Sequence, residues 1–332
     1  MKLKLLMIHL FCLIFVMLFA GCVNPPDGNV KVAADKIHIV GDYGSWNTAF
    51  YWNDGELTVL DAPDGDFHVF ATSVAVYNGA AYVGGSYDDS PCYWVDGVRN
   101  DIDCESGGIE SIAFDSSGRL IMAGFCDGEA SVWVDGVRTA LDVPADCWGD
   151  VNAMALVDDV VYLAGSCIDE TWEQVPCYWA DSVYTELTEP SPMLPGGSAR
   201  TSGIALKGSK VIVSGTFDTD ADDEGAGYWM DGEWNYLDGS TARGVSTVGN
   251  NVCIVGRDTD GACFWLNDRK EELNAVHSTI ATAVTSSGST FVAAGERGAY
   301  ASDDILGYWS GGDFFDIYEG PIADVNGMFI TE

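Results

Sequence analysis

Ala49-Phe50-Tyr51-Trp52-Asn53-Asp54-Gly55 is the stretch that decides the fold. An apolar, aromatic-rich segment runs straight into Asp-Gly, one of the strongest short-range signals for a β-hairpin, because both turn residues must take positive φ to match the twist of the flanking strands. The aromatic-Trp pair or a variant of it returns at Tyr93-Trp94, Val132-Trp133, Tyr178-Trp179, Tyr228-Trp229, Phe264-Trp265 and Tyr308-Trp309. Several copies meet the same turn at Asp96-Gly97, Asp135-Gly136 and Asp231-Gly232. Each copy is therefore a strand, a two-residue turn and a second strand ending near Leu60, Ile102, Leu141, Leu187, Leu237, Leu273 or Ile317.

A second hairpin precedes each of these. Its clearest copy is Ser111 to Gly124, with a turn at Asp115 to Gly118, and others run over Val74 to Gly85, Ala153 to Gly165, Ile204 to Gly215, Val245 to Gly256 and Ala283 to Gly295. Four short strands per unit, with successive tryptophans 42, 39, 46, 50, 36 and 44 residues apart, match the period of a β-propeller blade. No 3.6-residue apolar period competes with this reading in the mature chain. Val32 to Gly41 and Ile322 to Glu332 add a surplus inner copy, so the two chain ends are expected to share one blade and close the ring. The fold expected is all-β, a seven-bladed propeller, with eight blades, one of them partial, as the alternative.

The repeat resembles the HAF-type extracellular repeats of bacteria, whose core is Ala-Phe-aromatic-Trp followed by Gly and then an Asp-Leu pair. Ala49 to Gly55 is the best match, and the other units share only the aromatic-Trp and the Gly. That likeness supports the propeller and implies no activity.

Met1 to Lys4 carries two lysines, and Leu5 to Ala20 is apolar apart from His9, as in a secretory signal. At roughly sixteen residues the run is short for a membrane span, which needs about 20. Leu18-Phe19-Ala20-Gly21-Cys22 resembles the lipobox of bacterial lipoproteins, with Phe19 the one departure from the usual aliphatic residue. The resemblance implies a lipid on Cys22 and an exported protein anchored in the bacterial cell envelope through that lipid. The expected organisation is a signal peptide over 1–21, a tether over 22–29 and one propeller domain over 30–332.

Composition sets limits on the partner. Lys and Arg number 15 against 51 Asp and Glu, a net charge of −36, which excludes nucleic acid because a phosphate backbone demands a basic footprint. The connections between the second and third strands of each unit hold 18 acidic residues and two basic ones, Arg257 and Arg297, so one face of the ring is expected to be acidic. Within it, Asp218, Asp220 and Asp222 alternate as the ligands of a Ca²⁺ loop do, although the Gly and Glu positions of an EF-hand are not met. Calcium is the one cofactor this admits. Trp46, Trp148 and Trp172 stand outside the repeat and are candidates for contact with a protein or glycan ligand, whereas the repeated tryptophans are expected to fill the space between blades.

Catalytic signals are sparse. His38, His68 and His277 are scattered, and no nucleophile elbow, zinc motif or phosphate loop occurs. Eight cysteines besides Cys12 and Cys22 form an even set, and a sequential scheme pairs Cys92 with Cys104, Cys126 with Cys147, Cys167 with Cys177 and Cys253 with Cys263. The reading is a lipid-anchored binding or scaffold module acting through an acidic loop face. A propeller hydrolase or lyase using face carboxylates is the alternative. A deep axial pocket converging on two acids and an Arg would favour the enzyme, and a plugged axis the scaffold.

Overall fold

A computed structural model describes residues 32–33, 36–44, 47–62, 68–145, 147–168, 174–191, 193, 197–220, 223–273, 279–288, 290–298, 304–311, 313–320 and 323–331. Within them 28 strands, numbered in chain order, form seven four-stranded antiparallel sheets. The innermost strands are β28 (Ala323–Ile330), β4 (Val69–Tyr77), β8 (Gly107–Phe114), β12 (Trp148–Val157), β16 (Ala199–Lys207), β20 (Thr241–Val248) and β24 (Thr279–Ser287). Each of them contacts the next, and β24 contacts β28, so the ring is closed. The molecule is a seven-bladed β-propeller.

Closure works as the surplus copy implied. β28 pairs antiparallel with β1 (Ile37–Tyr43), from Ile37 opposite Ile330 to Tyr43 opposite Ala323. The C-terminal strand thus supplies the inner strand of blade 1, and the two chain ends each contribute half of one inner hairpin. Blades 2 to 7 begin with β4, β8, β12, β16, β20 and β24 in turn.

The Asp-Gly turns behave as their chemistry requires. Asp54 and Gly55, Asp96 and Gly97, Asp135 and Gly136, and Asp231 and Gly232 all take positive φ. Asp is useful there for a second reason: the Asp96 carboxylate accepts the Ala81 N–H at 2.9 Å, tying the outer turn to the neighbouring hairpin. The outermost strands are mostly four residues long, such as Val98–Asp101 and Arg269–Glu272, which limits the exposed edge each blade offers to another chain.

The core is divided into seven hydrophobic clusters, one between each pair of adjacent blades. The repeated tryptophans lie in them. Trp94, Trp133, Trp179, Trp229 and Trp265 are among the largest fully buried side chains. Three of them also bind the preceding blade by hydrogen bond: the indole N–H donates to the Asp61 carbonyl from Trp94 (2.7 Å), to Asp142 from Trp179 (2.9 Å) and to Thr188 from Trp229 (2.7 Å). Each of these carbonyls belongs to the link that leaves the previous blade, so one residue type seals the interface and fixes the crossing chain.

Candidate functional site

Every inner strand begins its course at the face where the second and third strands of the blades are joined, as Trp148 opposite Ile168 shows for blade 4. Every inner strand also carries one irregularity in register. The shifts fall between Ala71 and Ser73, Ile109 and Ser111, Val151 and Ala153, Thr201 and Gly203, Ala242 and Val245, and Ala281 and Ala283, and in blade 1 they leave Asn326 unpaired. Such bulges re-aim side chains. Here they set seven residues or residue pairs in a ring about the axis: Thr72, Glu110, Asn152, Ser202, Arg243 with Gly244, Thr282 and Asn326.

Four members of this ring share one task. Thr72 Oγ1 donates to the Ile109 carbonyl, Asn152 Nδ2 to Thr201 (3.0 Å), Thr282 Oγ1 to Val325 (2.6 Å) and Asn326 Nδ2 to Ala71 (3.1 Å). In each case the acceptor is the residue just before the irregularity in the next blade. Neither Glu110 nor Arg243 makes such a bond among the described residues. The two charged members of the ring, in blades 3 and 6, therefore stand apart from the clasp, nearly across the axis from each other.

The axis is open. A cavity of about 860 Å³ runs along it, lined by residues of all seven inner strands, Glu110 and Asn326 included. Small residues after the bulges keep it clear and let the blades approach closely: a Cβ on Gly203 would lie 3.0 Å from the Arg243 carbonyl oxygen. Toward the loop face a recess of about 380 Å³ adjoins this cavity and brings together Glu110, Asp150, Asn152, Arg200, Ser202 and Arg243. Asp150 and Arg200 hold equivalent places, two residues ahead of the bulge in blades 4 and 5.

Burial controls the charge of this recess. Desolvation, with the Asp150 charge added, raises the Glu110 carboxyl to about 7. Desolvation also raises Asp150, partly offset by the Val151 N–H. Arg200 is half exposed and reaches Glu224 at 3.4 Å, while no carboxylate of the described residues lies within ion-pair distance of Arg243. A third carboxyl sits nearby: Asp42 is 1% exposed, burial raises it to about 7, and its Oδ2 accepts a hydrogen bond from Asn326 Nδ2 at 2.7 Å.

The residues singled out in the sequence fall elsewhere. Trp148 is 47% exposed at the loop-face end of β12, two residues before Asp150, whereas Trp46, Trp172, Cys22 and the signal and tether lie outside the described residues. Asp218 and Asp220 end β17 (Lys210–Asp220), and Asp222 lies outside the described residues. The Asp218 carboxylate accepts the Ser198 N–H at 2.8 Å, closing the neighbouring link. His38 is buried against Tyr51 Oη at 2.7 Å and is not part of the recess lining.

The sequential disulfide scheme is corrected. Cys104 is bonded to Cys126, with Cα atoms 5.9 Å apart, and Cys92, Cys147, Cys167, Cys177, Cys253 and Cys263 are not bridged by disulfides. Cys92 belongs to the cluster between blades 1 and 2, whereas Cys104 and Cys126 meet in the cluster between blades 2 and 3. Cys147 packs with the next cluster, between blades 3 and 4, on the far side of its blade from Cys126. Cys253 and Cys263 fail by parity. Cys263 is opposite Gly256, three residues from Cys253, so the two thiols project from opposite faces of the sheet. Cys177 is opposite Gly165, two residues from Cys167, so that pair shares a face in one cluster and remains unbridged.

No protein-family model matches this chain, and no curated protein does. Solved structures do resemble it. A computationally designed protein, Ika8, is 16% identical with a TM-score of 0.51 over 92% of this chain and 93% of that one. A puromycin-hydrolysing peptidase from Mycobacterium tuberculosis is 10% identical with a TM-score of 0.57, covering 89% of this chain and 53% of that one. Virginiamycin B lyase from Staphylococcus aureus is 10% identical with a TM-score of 0.46 over 91% and 98%. The chain spans about half the length of the peptidase, and these likenesses concern the fold.

Proposed function

We propose that this chain is a lipid-anchored binding module of the bacterial cell envelope whose ligand occupies the mouth of the propeller axis. The observation that carries the reading is the recess where Glu110, Asp150, Arg200 and Arg243, from four successive blades, face one cavity. Glu110 and Asp150 are half-buried, and carboxyls shifted from their ordinary pKa in a cleft are candidates for functional groups. A polar recess at the end of an open axis offers a small ligand several hydrogen-bonding partners at once. The acidic connections around it act as a rim, discouraging polyanions and steering ligands that carry positive charge. Cys22 holds the module at the membrane, since a chain of charge −36 gains nothing from anionic headgroups.

A second reading, hydrolase or lyase action, draws on one observation: Glu110 near 7 beside Asp150 is a pair suited to general acid and base roles. Both readings place the ligand in the same recess. A thermal-shift screen of amino acids, short peptides, mono- and disaccharides and nucleosides against wild type and Arg243→Ala tests the location. A compound that stabilises wild type and not the variant supports the recess, and equal stabilisation of both removes it. Mass spectrometry of the compound after overnight incubation then separates binding from turnover.

A further inference from the structure

The four charges of the recess are not mixed around the ring. Glu110 and Asp150 come from blades 3 and 4, and Arg200 and Arg243 from blades 5 and 6, so one side is acidic and the adjoining side basic. Each class of ligand can be weighed against this arrangement. A monoanion satisfies the arginines and meets the carboxylates as like charges, and a monocation does the reverse. A neutral sugar leaves Glu110, Asp150 and Arg243 short of a counter-charge, Arg200 alone having Glu224, while stripping their water, which is costly for ionised groups. Only a molecule carrying both signs answers both sides.

Resting on the proposed ligand site, we infer that the ligand is a small zwitterion, an amino acid or short peptide with free ends. Its ammonium group sits against Glu110 and Asp150, and its carboxylate against Arg200 and Arg243. Arginine suits the second task, because its planar fork matches a carboxylate by paired hydrogen bonds. Asn152 and Ser202, between the two charged sides, supply neutral partners for a peptide backbone. The recess, about 380 Å³, is of a size for such a ligand. An arriving ammonium group also favours the ionised form of Glu110, which burial and the Asp150 charge together hold near half-protonation at neutral pH.

The test is calorimetric titration of the folded protein at pH 7, where the α-amino group is mostly ammonium, with four free dipeptides (alanyl-alanine, alanyl-phenylalanine, alanyl-lysine and alanyl-glutamate), their N-acetylated and C-amidated forms, and maltose. The inference expects at least one free dipeptide to bind, with about tenfold or greater loss on capping either end. Glu110→Gln should abolish discrimination against the acetylated form, and Arg243→Gln discrimination against the amide. Circular dichroism confirms that both variants remain folded, and reciprocal loss of discrimination is something general damage would not produce. Binding of maltose, or capped and free peptides binding alike, with sensitivity to Arg243→Gln, would overturn the zwitterion and leave the site standing. Binding that ignores both variants, or none by any probe, would overturn the zwitterion and the site together.

Discussion

Glu110→Gln should stabilise the protein at alkaline pH and do little at acid pH. The carboxyl is held at about 7 instead of its ordinary 4.5 by burial and by Asp150. A raised carboxyl pKa means that the folded state binds the proton more tightly than the unfolded state. The associated stability is full below 4.5 and is lost as pH rises through 7. At about 1.4 kcal/mol per pH unit across that interval, the loss reaches about 3 kcal/mol. Gln keeps the shape and never ionises, so it escapes the loss. For a domain of about 300 residues, 3 kcal/mol corresponds to roughly 5 °C in Tm. Scanning calorimetry of both proteins at pH 5 and pH 8.5, at matched ionic strength, should show a difference that grows by this amount toward alkaline pH. A difference that is the same at both values would refute the argument that Glu110 is desolvated in the recess.

Three further outcomes are expected. Cys104→Ser should lower stability by about 3 kcal/mol, because opening a closed loop with a sequence separation of 22 restores that much chain entropy to the unfolded state; chemical denaturation of wild type and variant measures it. Trp94→Phe should cost about 2 to 4 kcal/mol, from the lost bond to the Asp61 carbonyl and the space left in a sealed cluster, and denaturant midpoints read the loss. Cys22→Ser should release the protein from the membrane fraction, and persistence in that fraction would place the anchor elsewhere.

The ring and its closure were legible because each rests on a local rule repeated along the chain. Asp-Gly turns and the buried tryptophans recur at the blade period, and an inner copy left over at the ends has one economical solution. The recess was not legible, and the reason is specific. The inner strands read from sequence began at Val74, Ser111, Ala153, Ile204, Val245 and Ala283, just past the bulges, because the bulge breaks the apolar alternation on which strand reading depends. The strands in fact begin earlier, at Val69, Gly107, Trp148, Ala199, Thr241 and Thr279. Glu110, Asp150, Arg200 and Arg243 all fall in the omitted segments. A signal existed: Thr72, Glu110, Asn152, Ser202, Arg243, Thr282 and Asn326 each precede a small residue and an apolar one, so the units could have been aligned on that polar position. The pairing of Cys253 with Cys263 failed for a related reason, since a separation of ten says nothing about hairpin register, and register decides which face a thiol occupies.

The measurement that bears most directly on the central claim is the affinity of the best screened ligand for wild type, Arg243→Ala and Asp223→Ala. Asp223 is exposed on the acidic loop hairpin, outside the recess lining, so the comparison separates the axis from the loop face. Titration calorimetry should show a loss of about tenfold or more in Arg243→Ala and unchanged affinity in Asp223→Ala. The reverse pattern, with Asp223→Ala crippled and Arg243→Ala intact, would contradict the axial site and return the function to the loops.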